Sequence, residues 1–384
     1  MTMDLLTAGA DVNLTDVTGN TALSWAVVTG SPSLVQDLLT AGARTDLRNM
    51  EGTTPLIEAA SNNHSETVKV LLDAKADANL TLTSGQSPLF FAANNGNAKM
   101  TMDLLTAGAD VNLTDVTGSS ALMYAVGKNH MEVVKILVSA GASVNHQNAQ
   151  GNTALSWAVV TGSPSLVQDL LTAGARTDLR NMEGTSPLIL AADKNHTDVV
   201  KTLLAAGAEV NARSERQGLS ALYWAANNGN AMMVQNLLDA GALIDIPTDA
   251  GNTALIRAAI ANHPDLVTLL LTRGADGDHR NSQGHTALIR ALIENNQEVM
   301  KILLGAGVSV NLQDNEGHTA LHWATMTRNP IIVQELLNAG ASLNMTDIYG
   351  NTALILAVTA NDMQLTRILL DGGEMIDHQN HVGE

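Results

Sequence analysis

Apolar residues recur along this chain at helical spacing, and the pattern restarts after each short polar stretch. From Gly151, apolar Leu155, Ala158 and Val159 are followed, past Gly162, by Leu166, Val167, Leu170 and Leu171, and then by the largely polar residues 175–184. Steps of three and four put each set on one face of a short helix. Thr153 is a good N-cap, and Ala154 takes the first helical position, where sister stretches carry Pro55, Pro88 and Pro187. The pattern predicts one helix over residues 155–160, stopped by Gly162. A second is predicted over residues 164–172, capped by Ser163 and closed by Gly174. Asn63, Asn129, Asn195 and Asn262 stand at the first stop elsewhere. Glycine and asparagine both tolerate the left-handed backbone that ends a helix.

The whole unit is periodic. Gly-x-[Thr/Ser]-[Ala/Pro]-Leu begins at Gly19, Gly52, Gly85, Gly118, Gly151, Gly184, Gly218, Gly251, Gly284, Gly317 and Gly350, with a further turn starting at Gly383. Each step is 33 residues except one of 34, whose extra residue lies within 212–217 and should lengthen one tip. A fixed period of this size marks a stacked solenoid. Thr319-Ala320-Leu321-His322-x-Ala324, with the closing Leu38-Leu39-Thr40-Ala41-Gly42-Ala43 that recurs in most units, resembles the ankyrin repeat. The resemblance covers essentially the whole chain. It implies an all-α solenoid of helix–turn–helix units with β-turn or hairpin-like tips, curved around a concave groove. Residues 1–384 then form one domain of a partial first repeat (1–18), eleven full repeats from those glycines and a partial tip (377–384). The signature histidine is replaced by Ser24, Ile57, Phe90, Met123 or Tyr223 in other units, so the inter-repeat bond it supplies in the family is not expected there. Lys75 occupies a closing-glycine position and should carry roughly 1 kcal/mol of backbone strain.

Two stretches are exact copies: residues 1–19 recur as 100–118, and residues 19–53 as 151–185. The chain starts inside a second helix (residues 3–7) and stops in a tip. It therefore reads as a fragment or engineered array, with recent natural duplication as the alternative.

Composition narrows the partners. A net charge of −18 and a pI near 4.8 oppose binding to nucleic acid or anionic lipid. There is no cysteine, no apolar run long enough for a bilayer and no signal-peptide layout, so a cytoplasmic protein is expected. The sequons at Asn13, Asn63, Asn79, Asn112, Asn195 and Asn344 then read as chance. No phosphate loop, His-Glu-x-x-His or nucleophile elbow occurs. His378 and His381 read as loop histidines, and His64, His130, His196 and His263 as caps. No enzyme activity, cofactor or metal is expected, and the chain should be a monomer.

One position concentrates the remaining chemistry. Counting from each glycine, position +6 lies about 200° from the apolar +4 and +8 and should face away from the core. It carries Trp25, Glu58, Phe91, Tyr124, Trp157, Leu190, Trp224, Arg257, Arg290, Trp323 and Leu356, including all four tryptophans. In the family this position lines the groove with the tips and with +9 and +10, here Asn94, Asn95, Asn227, Asn228, Lys128 and Lys194. Phe91, Trp157, Trp224 and Trp323, with Trp25 and Tyr124, are candidate anchors for another protein or an extended peptide. Asn95 and Asn228 would hold its backbone, and Lys128, Lys194, Arg257 and Arg290 would attract acidic residues. Trp157 and Trp224 should stand about 20 Å apart, matching anchors six residues apart on an extended ligand. Three alternatives stand beside this: rings that only shield the Ala-rich interior, an architectural solenoid without a ligand, and the recognition arm of a larger enzyme or effector.

Overall fold

The computed structural model describes residues 11–373. Among them are 22 helices in pairs, one pair for each full repeat, and no strands beyond isolated bridges. First helices span seven residues, or eight at Ala154–Thr161, and second helices nine, as in Pro164–Thr172. The caps are those the sequence specifies. Thr153 accepts from the backbone N–H of Ser156, whose hydroxyl returns the favour, and Gly162 ends the helix at φ 70°. Gly174 closes the second helix at φ 88°, and Lys75 takes the same left-handed turn at φ 65°. Leu155, Ala158, Val159, Leu166, Val167 and Leu170 are fully buried, and their counterparts form the same core in the other units.

The helices group into two compact bodies. The first comprises Met1–Met182 with Ala205–Gly207, and the second Glu183–Leu204 with Ala208–Glu384. Within each, first helices pack on first helices and second on second. Most tips carry an aspartate or asparagine three residues before the glycine, with Leu82, Glu215 and Thr248 as the exceptions. Asn148 Oδ1 accepts from the N–H groups of Gln150 and Asn152, both at 3.0 Å. Most successive tips are tied by a backbone bond, such as Ala149 N–H to Thr117 O at 2.9 Å. Single antiparallel bridges at Thr15–Thr21, Thr114–Ser120 and Arg213–Ser220 give some tips a hairpin character. The 34-residue unit widens its turn by one residue, with Gly218 N–H bonding Ser214 O.

Asparagines in the polar stretches clamp neighbouring units, a role the sequence reading did not assign. Asn145 donates to Gly174 O at 2.9 Å and accepts from Arg176 N–H at 2.8 Å. Asn79, Asn112, Asn211 and Asn311 make the same two-sided contact. Asn13 does so as well, so three of the sequon asparagines serve as clamps. Asp245, in an equivalent place, only accepts, from Asp276 N–H. Burial pushes its carboxyl above the usual range.

Histidines assigned as caps act elsewhere. His64 and His130 occupy N-cap positions without a side-chain cap bond. Their rings instead donate to Val27 O and Asn94 O, each at 3.1 Å, in the preceding unit, and His263 does the same to Asn227 O. These carbonyls lie at the ends of first helices, where acceptors lack helical partners. The ring sits over the preceding stop glycine, and a Cβ on Gly30 would lie 2.8 Å from His64 Cε1. His64, His130 and His263 each sit over the glycine stop of the unit before, at Gly30, Gly96 and Gly229. Two of the reverse junctions use asparagine: Asn95 donates to Ala60 O at 3.2 Å and Asn228 to Ala192 O at 2.9 Å.

Candidate protein-binding face

Position +6 faces neither the core nor open solvent in most units. Phe91, Tyr124 and Trp157 in the first body, and Trp224, Arg257, Arg290 and Trp323 in the second, are half-buried, whereas Trp25 is 53% exposed. The helical-wheel angle is right for the helix itself. A neighbouring first helix stands on each side, however, and covers part of the outward residue.

In the first body the rings form a chain. Tyr124 lies 3.9 Å from buried Phe90 and 6.1 Å from Trp157, and Phe91 meets Phe90 edge-on at 5.8 Å. Trp157 also lies over Gly127, where a Cβ would be 2.6 Å from its Cε3. Three rings are anchored by the aspartate of their own tip. Trp25 Nε1 donates to Asp16 at 3.0 Å, Tyr124 Oη to Asp115 at 3.0 Å and Trp323 Nε1 to Asp314 at 2.8 Å. At Trp157 the tip residue is Asn148, and the indole N–H is buried with no hydrogen-bond partner among the described residues. Burial, then the bond to Asp115, pushes the Tyr124 hydroxyl up to about 12. Burial would raise Asp115, but hydrogen bonds from Thr117, Ser119 and Tyr124 outweigh it and hold the carboxyl below its ordinary value.

In the second body, Trp224 meets Tyr223 edge-on at 6.2 Å, and the Arg257 guanidinium lies 5.9 Å from the Tyr223 centroid. Arg257 Nε donates to Asn227 Oδ1 at 2.7 Å. Arg290 pairs with Glu294 at 2.6 Å, and Lys194 with Asp193 at 3.0 Å. Lys128, in the first body, is an exposed C-cap residue. The Asn95 and Asn228 amide donors are engaged by preceding helices, as described above, and Asn94 contributes its carbonyl to His130.

Around Trp323 the tips hold a buried polar cluster. The edges of His285 and His318 approach the indole at 5.8 and 5.5 Å, and His318 lies 3.7 Å from both Asp314 and Asp347. Burial lowers the pKa of His285 and of His322, whose Nε2 donates to Asn351 O at 3.1 Å. This is the family's signature inter-repeat bond, made where its histidine is present. Among the described residues no group of three or more His, Asp or Glu is arranged to hold a metal, and no helix is long and apolar enough to cross a membrane. His378 and His381 lie outside the described residues.

A second exposed row escaped the sequence reading. Val17, Met50, Val116 and Met182, two residues before their glycines, are 70–90% exposed on tips of the first body. The signal was available as a recurring apolar residue in a polar stretch, but only the tip-to-tip bonds show that these residues form a row.

Paired helices, clamped tips and a recurrent outward position define a helical repeat solenoid with the build of an interaction module. The sequence profile described as Ankyrin repeats (3 copies) matches residues 2–84, 89–181, 155–248, 222–314 and 303–380. The chain belongs to the ankyrin-repeat family, whose members are in general protein–protein interaction modules. No curated protein sequence matches it.

Proposed function

We propose that the protein is a non-catalytic scaffold that binds an extended segment of another protein along the first-helix face of each body. The observation that carries this is the character of position +6. Six aromatic residues occupy it and keep part of their surface exposed, although Glu58, Arg257 and Arg290 show that the position does not need to be apolar. Half-buried rings held by neighbours suit anchoring, because they offer apolar area with little conformational freedom left to lose. Trp25, Phe91, Tyr124 and Trp157 supply the anchors in the first body, with Asn94, Asn95 and Lys128 beside them. Trp224 and Trp323 do so in the second, with Asn227 and Asn228. Carboxylates of a partner would compete with Glu294 for Arg290 and with Asp193 for Lys194, and Arg257 is the third cation on that face. A cytoplasmic monomer without cofactors is the setting this reading assumes.

Random-peptide display on the parent and on Trp157→Ala/Trp224→Ala tests it. Peptides retained by the parent and lost by a double variant with unchanged helical circular dichroism support the face. Peptides retained by both variants place binding elsewhere, on the tips or the acidic outer helices.

A further inference from the structure

The first body holds an open cavity of about 420 Å³ between two successive tips and their first helices. Its apolar side is the exposed Trp25 ring with Val28 and Met50, and its polar side carries the carboxylates of Asp16, Glu51 and Glu58. None of the described residues lining it is basic. The indole is held in place by its 3.0 Å bond to Asp16, and Glu58 is steadied by Asn62 Nδ2 at 2.9 Å. Asp16 stays ionised through the physiological range. Hydrogen bonds from the Thr18 hydroxyl and the Trp25 indole draw its pKa down to about 2.

We infer that this cavity receives the cationic side chain of an arginine or lysine in the partner segment. An indole face attracts a cation, the more strongly as water is excluded. Three carboxylates around one ring add an attraction that a neutral side chain would not feel, and the net charge of −18 favours a basic segment on approach. Met50 and Val28 suit the aliphatic stem of the same side chain. The inference rests on the first-helix face being the binding face, and it adds the chemistry of one subsite. The second copy of the ring provides an internal contrast: Asn148 and Leu190 occupy the sequence positions of Asp16 and Glu58.

The test is a titration of the full chain, ¹⁵N-labelled on tryptophan indoles, with capped Gly-Gly-Arg-Gly-Gly and its norleucine and glutamate analogues. The arginine peptide should shift the Trp25 indole resonance with a dissociation constant on the order of millimolar, and leave Trp157 unmoved. Glu51→Gln/Glu58→Gln should weaken it by about fivefold without disturbing the fold, since Glu51 is exposed and glutamine keeps the acceptor that half-buried Glu58 offers Asn62. An unmoved Trp25 resonance, or equal shifts from the norleucine peptide, would overturn the cation subsite. The display experiment separates the two readings. Ligands that depend on the aromatic face but lack basic residues at Trp25 leave that face standing and remove this subsite.

Discussion

Residues 19–53 and 151–185 are identical in sequence, yet their tryptophans occupy different surroundings. What is encoded inside the unit is reproduced: Thr21 and Thr153 both cap through a reciprocal bond with the serine three residues on, and Leu23 and Leu155 are both fully buried. What depends on the neighbour is not. The Trp25 indole N–H is bonded to Asp16, whereas Trp157, beside a tip that carries Asn148 instead, lies against Tyr124 and over Gly127 with its N–H unpaired. In this array the unit's own sequence sets helices and caps, while residues just outside it, such as Asp16 or Asn148 on the tip before the glycine, decide how the outward ring is held.

That contrast can be broken most strongly at the rings themselves. Trp157→Ala should cost about 2–3 kcal/mol, somewhat under the loss for a fully buried tryptophan, and Trp25→Ala less than about 1, as read from urea unfolding. Equal losses would mean that the two rings are equally built in. Next comes the junction that follows the first copy. Gly30→Ala forces a side chain into φ 66° and against His64, and should cost about 2 kcal/mol. Adding His64→Ala should relieve the clash and leave the backbone strain.

A smaller change should make the copies more alike. Asn148→Asp offers the Trp157 indole the acceptor that Trp25 has, and should stabilise by about 0.5 kcal/mol after loss of the 3.1 Å bond from Asn148 to Ser119. The smallest effect is a titration of the third anchored ring. Tyr124, raised from 10 to about 12, favours its protonated form in the fold. It adds stability that is full below pH 10 and lost as pH rises toward 12. Ultraviolet titration should show one late-ionising tyrosine, brought back toward 10 by Asp115→Asn. Asp115 has the opposite sign: its lowered pKa adds stability above pH 3.8 that is lost as acid protonates it in the fold.

The helices were legible because their signals are local. The first helix of the Gly151 unit extends one residue beyond the expected 155–160 at each end, and the second is Pro164–Thr172 as read. Lys75 adopts the left-handed turn that its position demanded. The candidate site was legible as a position but not as an environment. Nothing in one unit shows that Asn95 and Asn228 direct their amide donors to the previous helix, or that His64 reaches Val27. The glycine stops and the histidines were both visible, but the contact that brings His64 over Gly30 crosses one period, which a within-unit helical wheel cannot represent.

The most direct test is to take one peptide selected on the parent and measure its affinity, beside urea stability, for Trp25→Ala, Trp157→Ala, Trp224→Ala and Trp323→Ala. The account predicts that at least one variant loses affinity by about tenfold or more while its stability changes little, as expected for a ring that anchors a partner. Affinities unchanged in all four, or falling only where stability falls, would show that the aromatic position serves packing alone.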